Sequence, residues 1–364
     1  MNVAVNINFL QHNQSFYAHY CRQLLLVLTQ QLPNINFIFF TEKQTNEKFI
    51  VGPNCKQVIV KSLTKKKSNG YYWHNILLPL AAKKNKANII IHFNGKCSLT
   101  TSIPQLLVVP QTNNHQHPIL NYYRKKSIKK ATKIIALAAF IKNEIVAQQK
   151  NTVNKIDIIY PANNDEIKPL SYTEKLAIKD TYTNGSEYFI CTDGLNNINN
   201  TVQLLKAFSL FKKRLNSQMK LLLNIDDKVV VKQVQEKLST YKYKTDVVII
   251  DNKDTAIINK LIAGAYCIIY PFTIHSFPFS VITSLQAGVP IICNEQVCFK
   301  ELAGKACLAY NTDNEQNIAD KMMLLYKDET QRNNLIEQGV SQSAMYNWSK
   351  ITEGFYNTLQ SIAK

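Results

Sequence analysis

PFTIHSFPFSVITSLQAGVPIIC, residues 271–293, is the stretch whose reading decides the fold. The apolar CIIY just before it, at 267–270, predicts a short strand; residues 281–287 predict a short helix, and IIC at 291–293 the next strand. Strands made of three or four uninterrupted apolar residues need burial on both faces, the condition of a parallel sheet covered by helices. A helix between two such strands is the crossover that parallel neighbours require.

The same alternation runs outward in both directions. Upstream it predicts helices at 254–263, 229–240 and 201–215, the last with Leu204, Leu205, Phe208 and Leu215 along its apolar side. Strands at 247–250, 221–223 and 188–191 lie between them. Downstream, 318–327 and 331–338 predict closing helices, and 348–363 an amphipathic helix with Ile351, Phe355 and Leu359 near one face. A polar stretch, 162–185, separates this pattern from an earlier copy of it. That copy has strands at 3–7, 37–40, 89–92, 106–109, 134–137 and 156–160, with helices at 16–31, 73–80, 119–130 and 139–149. The 364 residues exceed what one hydrophobic core usually supports. Two Rossmann-like domains, 1–168 and 169–345, followed by a terminal helix, 346–364, are the economical arrangement.

Hydrophobic residues make up 46% of the chain, ample for two cores. No apolar run reaches the roughly 20 residues a spanning helix needs, and MNVAVNINFL reads as a first strand rather than a signal peptide. A cytoplasmic location follows as an expectation, with the inner face of the cell membrane as the place of any peripheral association. The eight cysteines are scattered without a CxxC pair, which favours buried thiols over a metal site or disulfide framework. The formal charge of +18 is large. It is concentrated in Lys65, Lys66 and Lys67, in Lys83, Lys84 and Lys86, and in Arg124, Lys125, Lys126, Lys129 and Lys130. Such clusters suit an anionic membrane surface or phosphorylated ligands, or form a solvated lysine-rich surface. Nucleic acid is not expected, since no zinc-finger spacing or basic-aromatic recognition module is present.

Several segments carry a family resemblance. EYFIC at 187–191, LLKAFSLFKKR at 204–214, LIAGAYCIIYPF at 261–272, AGVPII at 287–292 and YNWSKITEGF at 346–355 resemble the second domain and terminal helix of family 4 retaining glycosyltransferases. MNVAVNINFL, FIFFTEK and KIDIIYPANNDEIKPL are similar to first-domain segments of that family. The resemblance implies an α/β, GT-B-like fold, two Rossmann-like domains facing each other across a cleft, with the terminal helix crossing back to the first domain. It also implies hexosyl transfer from a nucleotide sugar to a lipid-linked or polysaccharide acceptor, with no metal and no bound cofactor.

The positions that serve this chemistry in the family are altered here. The Arg-Lys pair that meets the donor diphosphate falls on Ile198 and Asn199, and the two acidic positions of the donor loop on His275 and Thr283. That loop's flexible glycines are Ser276 and Pro278. In the first domain a His-Asp pair facing the cleft is replaced by Pro110 and Gln111, with His115 and His117 further along the loop. A Ser-Glu-x-Ser stretch is replaced by Ala138, Ala139, Phe140 and Ile141, and the glycine-rich acceptor loop by QHNQSFYAH at 11–19. Losing one electrostatic donor typically costs ~100 to 1000-fold in rate. Two readings follow. One is a degenerate glycosyltransferase-like protein that acts as a binding or scaffold subunit with a protein partner in an envelope or glycosylation complex. The other is a divergent hexosyltransferase using a nucleotide sugar, with His275, His115 and His117 as residual catalytic candidates. Donor-binding candidates are then Asn199, Thr283, His275 and Gly194, and Lys206 lies either on a helix surface or near the donor.

Overall fold

The computed structural model describes every residue except 12, 14, 62–68, 112–117, 163–166, 196, 272–275, 312–313 and 364. The chain forms two compact units: Met1–Ala162 with His275–Phe277 and Asn347–Lys364, and Asn163–Ile274 with Pro278–Tyr346.

The first unit is built on seven parallel strands: β1 (Asn2–Asn6), β2 (Asn36–Thr41), β3 (Cys55–Ile59), β4 (Ile89–His92), β5 (Gln105–Val109), β6 (Lys133–Ala136) and β7 (Ile156–Ile158). Their spatial order is β3-β2-β1-β4-β5-β6-β7. Val5 of β1 lies in register with Phe39 on one side and Ile91 on the other, and all three side chains are buried. The terminal helix Trp348–Ala363 belongs to this unit. Its Trp348 stacks on Tyr20 with ring centres 5.9 Å apart, and Thr358 Oγ1 donates to Asp157 Oδ2 at 3.1 Å.

The second unit carries six parallel strands: β8 (Tyr188–Cys191), β9 (Lys220–Asn224), β10 (Val247–Ile250), β11 (Cys267–Tyr270), β12 (Ile291–Asn294) and β13 (Cys307–Tyr310). They are ordered β10-β9-β8-β11-β12-β13. The helix Ile198–Leu215 lays Leu204, Leu205, Phe208 and Phe211 on this sheet, all buried. In both units the first strand is central and the chain winds first to one side and then to the other. The order therefore reverses between β1 and β4 and between β8 and β11, the switch points outside which ligands bind in doubly wound sheets.

Among the described residues, the strands β3 and β13 and the α-helices Tyr172–Thr183 and Val297–Ala303 have no counterpart in the sequence expectations, nor do the short 3-10 turns. β3 and β13 are edge strands: β3, CKQVI, mixes polar and apolar residues and has no buried position, whereas β13, CLAY, is an apolar run that the sequence expectations omit. Tyr172–Thr183 lies inside the polar stretch read as a separator. Its signal was the Ser171–Glu174 capping box, in which side chain and backbone satisfy each other reciprocally. The helix expected at 73–80 begins at Asn69 and passes through a π turn, Trp73–Leu77, into Leu78–Lys84.

No helix among the described residues is long and apolar enough to cross a membrane. All eight cysteines are free thiols, six of them buried. Gly264 shows how tightly the second unit is packed. A Cβ built there would stand 2.8 Å from Tyr188 Oη and 3.1 Å from Ile178 Cγ2. Tyr188 Oη itself donates to Leu261 O at 2.6 Å and cannot withdraw without breaking that bond. Gly264→Ala is expected to cost about 1–3 kcal/mol through overpacking, measurable as a lowered urea midpoint; an unchanged midpoint would show that the neighbours give way freely.

Candidate functional site

The switch point of the second unit gathers side chains from β8, from β11 and from the helix Phe279–Ala287. Asp193 lies two residues beyond the end of β8. Its Oδ2 accepts a hydrogen bond from Thr192 Oγ1 at 2.9 Å and a very short one from Ser280 Oγ. Ser280 is fully buried in the first turn of its helix, where its single proton goes to the carboxylate; its oxygen then accepts from Tyr270 Oη at 2.6 Å. Tyr270 is the last residue of β11, and its carbonyl accepts from Tyr310 Oη at 3.2 Å. The result is a directed chain, Tyr270 to Ser280 to Asp193, with donors converging on one carboxylate oxygen.

Part of Asp193 still meets solvent, yet its carboxyl is walled by protein. Burial raises its pKa, and the hydrogen bonds from Ser280 and Thr192 only partly oppose that rise. Among the described residues no lysine or arginine pairs with it or pulls its pKa down. The carboxyl's side-chain partners among the described residues are the neutral hydroxyls of Thr192 and Ser280. Sequence reading passed over Asp193 because it sought an Arg-Lys pair in this loop. The available signal was positional: an acidic residue just past the carboxyl end of the first strand of a doubly wound domain.

The expected donor-side residues are placed as follows. Gly194 is exposed at φ 73°, and its carbonyl accepts from Asn200 Nδ2 at 3.0 Å. Asn199 is exposed in the first turn of Ile198–Leu215, where its backbone N–H is capped by Asn197 Oδ1 at 3.0 Å. Ile198, at the other position of the Arg-Lys pair, packs against the hydrophobic core. Thr283, read as a hydroxyl that could meet a donor, is fully buried, with Oγ1 3.2 Å from Asn259 Oδ1. Lys206 is exposed, its ammonium 3.8 Å from Glu315 Oε1, the surface one of its two readings. His275, His115 and His117 lie outside the described residues. The AGVP turn closes the helix Phe279–Ala287 at Gly288, whose φ of 65° is left-handed and suits glycine.

In the first unit Ala138 and Ile141 are fully buried and Phe140 nearly so, so the stretch that replaces Ser-Glu-x-Ser packs inward. Pro110 and Gln111 act through backbone: Pro110 O accepts from Phe277 N at 3.0 Å, and Gln111 O from Arg124 Nη2 at 2.9 Å. Two histidines that sequence reading did not single out meet near this unit's switch point. His74 and His92 cross edge to face with ring centres 4.8 Å apart. His74 Nε2 donates to Lys96 O at 2.9 Å, which leaves Nδ1 to accept from Asn6 Nδ2 at 3.4 Å. Burial pushes the His74 pKa down to about 4, and burial together with the neighbouring His74 holds that of His92 well below its ordinary value, so both rings are neutral near pH 7. Among the described residues no group of three or more His, Cys, Asp or Glu side chains is arranged to hold a metal ion.

Residues 175–342 match the family model described as glycosyl transferases group 1. O-antigen chain mannosyltransferase B of Escherichia coli is 23% identical over 92 residues, a stretch that spans only 25% of this chain and 24% of that enzyme. Among solved structures, a glycosyltransferase from Rickettsia africae superposes with a TM-score of 0.77 at 14% identity, covering 100% of this chain and 98% of the other. Anabaena HepE, in complex with UDP and glucose, also superposes at 0.77, with 11% identity and 99% and 100% coverage. WaaG, a glycosyltransferase of lipopolysaccharide biosynthesis, gives 0.74 at 10% identity with 96% and 97% coverage. The doubly wound sheets and these superpositions together identify the fold of this chain as the GT-B fold of glycosyltransferases, with the group 1 family match lying in its second unit.

Proposed function

We propose that this chain is a glycosyltransferase-fold protein whose donor-side crevice has lost its hold on a nucleotide diphosphate and which works as a binding or scaffold subunit in envelope polysaccharide assembly. The observation that carries this reading is Asp193, a carboxyl at the β8–β11 switch point with no lysine or arginine paired to it among the described residues. A unit negative charge brought to about 5 Å from an ionised carboxylate is opposed by roughly 3 kcal/mol at an effective dielectric of ~20, and a diphosphate brings more than one. Ile198 packed into the core and neutral Asn199 supply nothing to offset that repulsion.

The test is calorimetric titration with UDP-, GDP-, ADP- and TDP-sugars, with turnover assayed in parallel. The wild-type chain is expected to show no saturable binding and no transfer or hydrolysis, while Asp193→Asn gains measurable nucleotide affinity, roughly 10-fold or more above the detection floor. Saturable wild-type binding that D193N leaves unchanged would falsify the repulsion argument. The second reading, a nucleotide-sugar-dependent hexosyltransferase, is favoured by the family match over residues 175–342. Turnover of any donor by the wild-type chain establishes it. Affinity purification from the native organism addresses the protein partner, with co-purification of an envelope glycosyltransferase as the expected outcome.

A further inference from the structure

The positive charge of this chain is not spread evenly. Residues 48–143 contain 17 lysines and arginines and not one aspartate or glutamate. That stretch lies wholly in the first unit and includes the helical run from Asn69 to Lys84 and the helix Pro118–Lys130. The two are fastened side by side: the Tyr71 and Tyr123 rings meet edge to face at 5.6 Å, and Asn75 Nδ2 donates to Tyr123 Oη at 3.1 Å.

An ordinary surface helix turns its apolar residues inward and leaves a polar face to solvent. These helices bury Trp73, Leu78, Ala82 and Ile128 in that way, yet leave further apolar residues outside. Tyr71 is 60% exposed, Leu80 61%, Ile119 69% and Tyr122 63%, interspersed with Lys83, Lys84, Lys125, Lys126, Lys129 and Lys130. Apolar side chains left out on a cationic helical surface are the signature of an element lying in a lipid interface, where the rings and aliphatic groups enter the acyl boundary and the lysines meet headgroup phosphates. Beside Pro118–Lys130 runs a groove of about 710 Å³, with Lys125, Lys126, Lys129, Lys150 and Lys155 on its walls. Lys155 is fixed there by donating to Lys129 O and Ala131 O, both at 2.9 Å, and Lys126 Nζ stands 5.3 Å from the centre of the Tyr122 ring. The groove has the size and charge for a phosphate headgroup.

We propose that this face of the first unit, made by the helical run beginning at Asn69 and by Pro118–Lys130, is a docking surface for an anionic lipid bilayer, on which the chain lies without crossing it. Charge complementarity selects the occupant, because a neutral protein surface would match the exposed apolar groups but not so many uncompensated lysines. The surface is independent of the donor-side crevice, so it stands or falls apart from the function proposed above.

Co-sedimentation of the full chain with vesicles tests it, comparing pure phosphatidylcholine with phosphatidylcholine containing phosphatidylglycerol at low and raised salt. Binding is expected only to the anionic vesicles. Lys125→Gln, Lys126→Gln and Lys129→Gln together should lower partitioning roughly 100-fold, at about 1 kcal/mol for each lysine. Leu80→Ser, Ile119→Ser and Tyr122→Ser together should lower it at least 10-fold while leaving the melting temperature in place, since all three side chains are exposed. Absence of sedimentation at low salt overturns the proposal, as does equal binding to both vesicle types. An apolar triple variant that binds like the wild type, with duplex DNA displacing the protein from vesicles completely, would instead assign the lysines to nucleic acid.

Discussion

Asp246→Ala is expected to remove about 3–5 kcal/mol from the stability of the second unit, because it strands a buried ammonium. Lys212 projects from the helix Ile198–Leu215 and is only 6% exposed. Its Nζ donates to the carbonyls of Ser217 and of Met219, and pairs with Asp246 Oδ2 at 2.9 Å. Lys220 Nζ takes the other carboxylate oxygen at 2.8 Å. Without Asp246 both cations keep their positions and lose their counter-charge. Lys212, with its Nζ 5.9 Å from the centre of the Phe208 ring, is the more deeply buried of the two. Replacing Lys212 by Met in the same chain should recover part of the loss, since an apolar group of similar length removes the stranded charge. A loss below about 1 kcal/mol in D246A would show that water or a rearranged carbonyl has taken over.

The same group dictates a pH dependence. Burial alone would raise the Asp246 pKa, but hydrogen bonds and charge from Lys220 and Lys212 outweigh it and hold the carboxyl below its usual value. A depressed folded-state pKa means that the stabilisation is complete above the unfolded-state pKa of about 4 and is lost as pH falls through the lower folded value. The second unit should therefore weaken on acidification from about pH 5 downward, and D246N should flatten that slope. Hydrogen exchange at β8 and β9 reads this unit separately, since both tryptophans, Trp73 and Trp348, belong to the first unit.

Phe355→Ala is expected to cost the first unit about 3–5 kcal/mol, the range for deleting a buried aromatic ring. Phe355 has no exposed surface, and Ile351 and Leu359 continue its stripe along Trp348–Ala363 at 2% and 0% exposure. Truncation leaves a cavity between two packed neighbours that cannot close over it. Tryptophan fluorescence in urea measures the effect directly, because Trp348 stacks on Tyr20 within the same unit. A midpoint that moves without a change in Trp348 emission would show the helix detaching after the sheet rather than with it.

Most strands were legible because each is short and apolar, the edge strand β10 among them. CIIY, YFIC and IIIH are β11, β8 and β4 with the boundaries the sequence suggests, and the Phe16–Gln31 helix begins behind Ser15, whose side chain accepts from Ala18 N at 3.2 Å. Of the two edge strands that were missed, β3 has no buried position and a mixed CKQVI sequence, while β13 buries only Leu308 and Tyr310 in alternation. At the candidate site, the loop after β8 and the helix before AGVP were found at the right places, but attention went to missing residues. Thr283 was weighed as a ligand although its neighbour in the fold, Asn259, is 24 residues away and gave no local sign. The one sign of Asp193 was its position just past the carboxyl end of the first strand, since its hydroxyl partner Ser280 lies 87 residues away.

Local apolar runs and helical spacing, which act within a few residues, were enough by themselves to determine the two doubly wound units and the excess of cations in the first. Sheet order decided the rest. It sets β8 beside β11 and so brings Asp193 to Ser280 across 87 residues, encloses Lys212 with Asp246, and buries Thr283. The protonation and role of a polar side chain depend on what surrounds it, and those surroundings are assembled only by long-range packing.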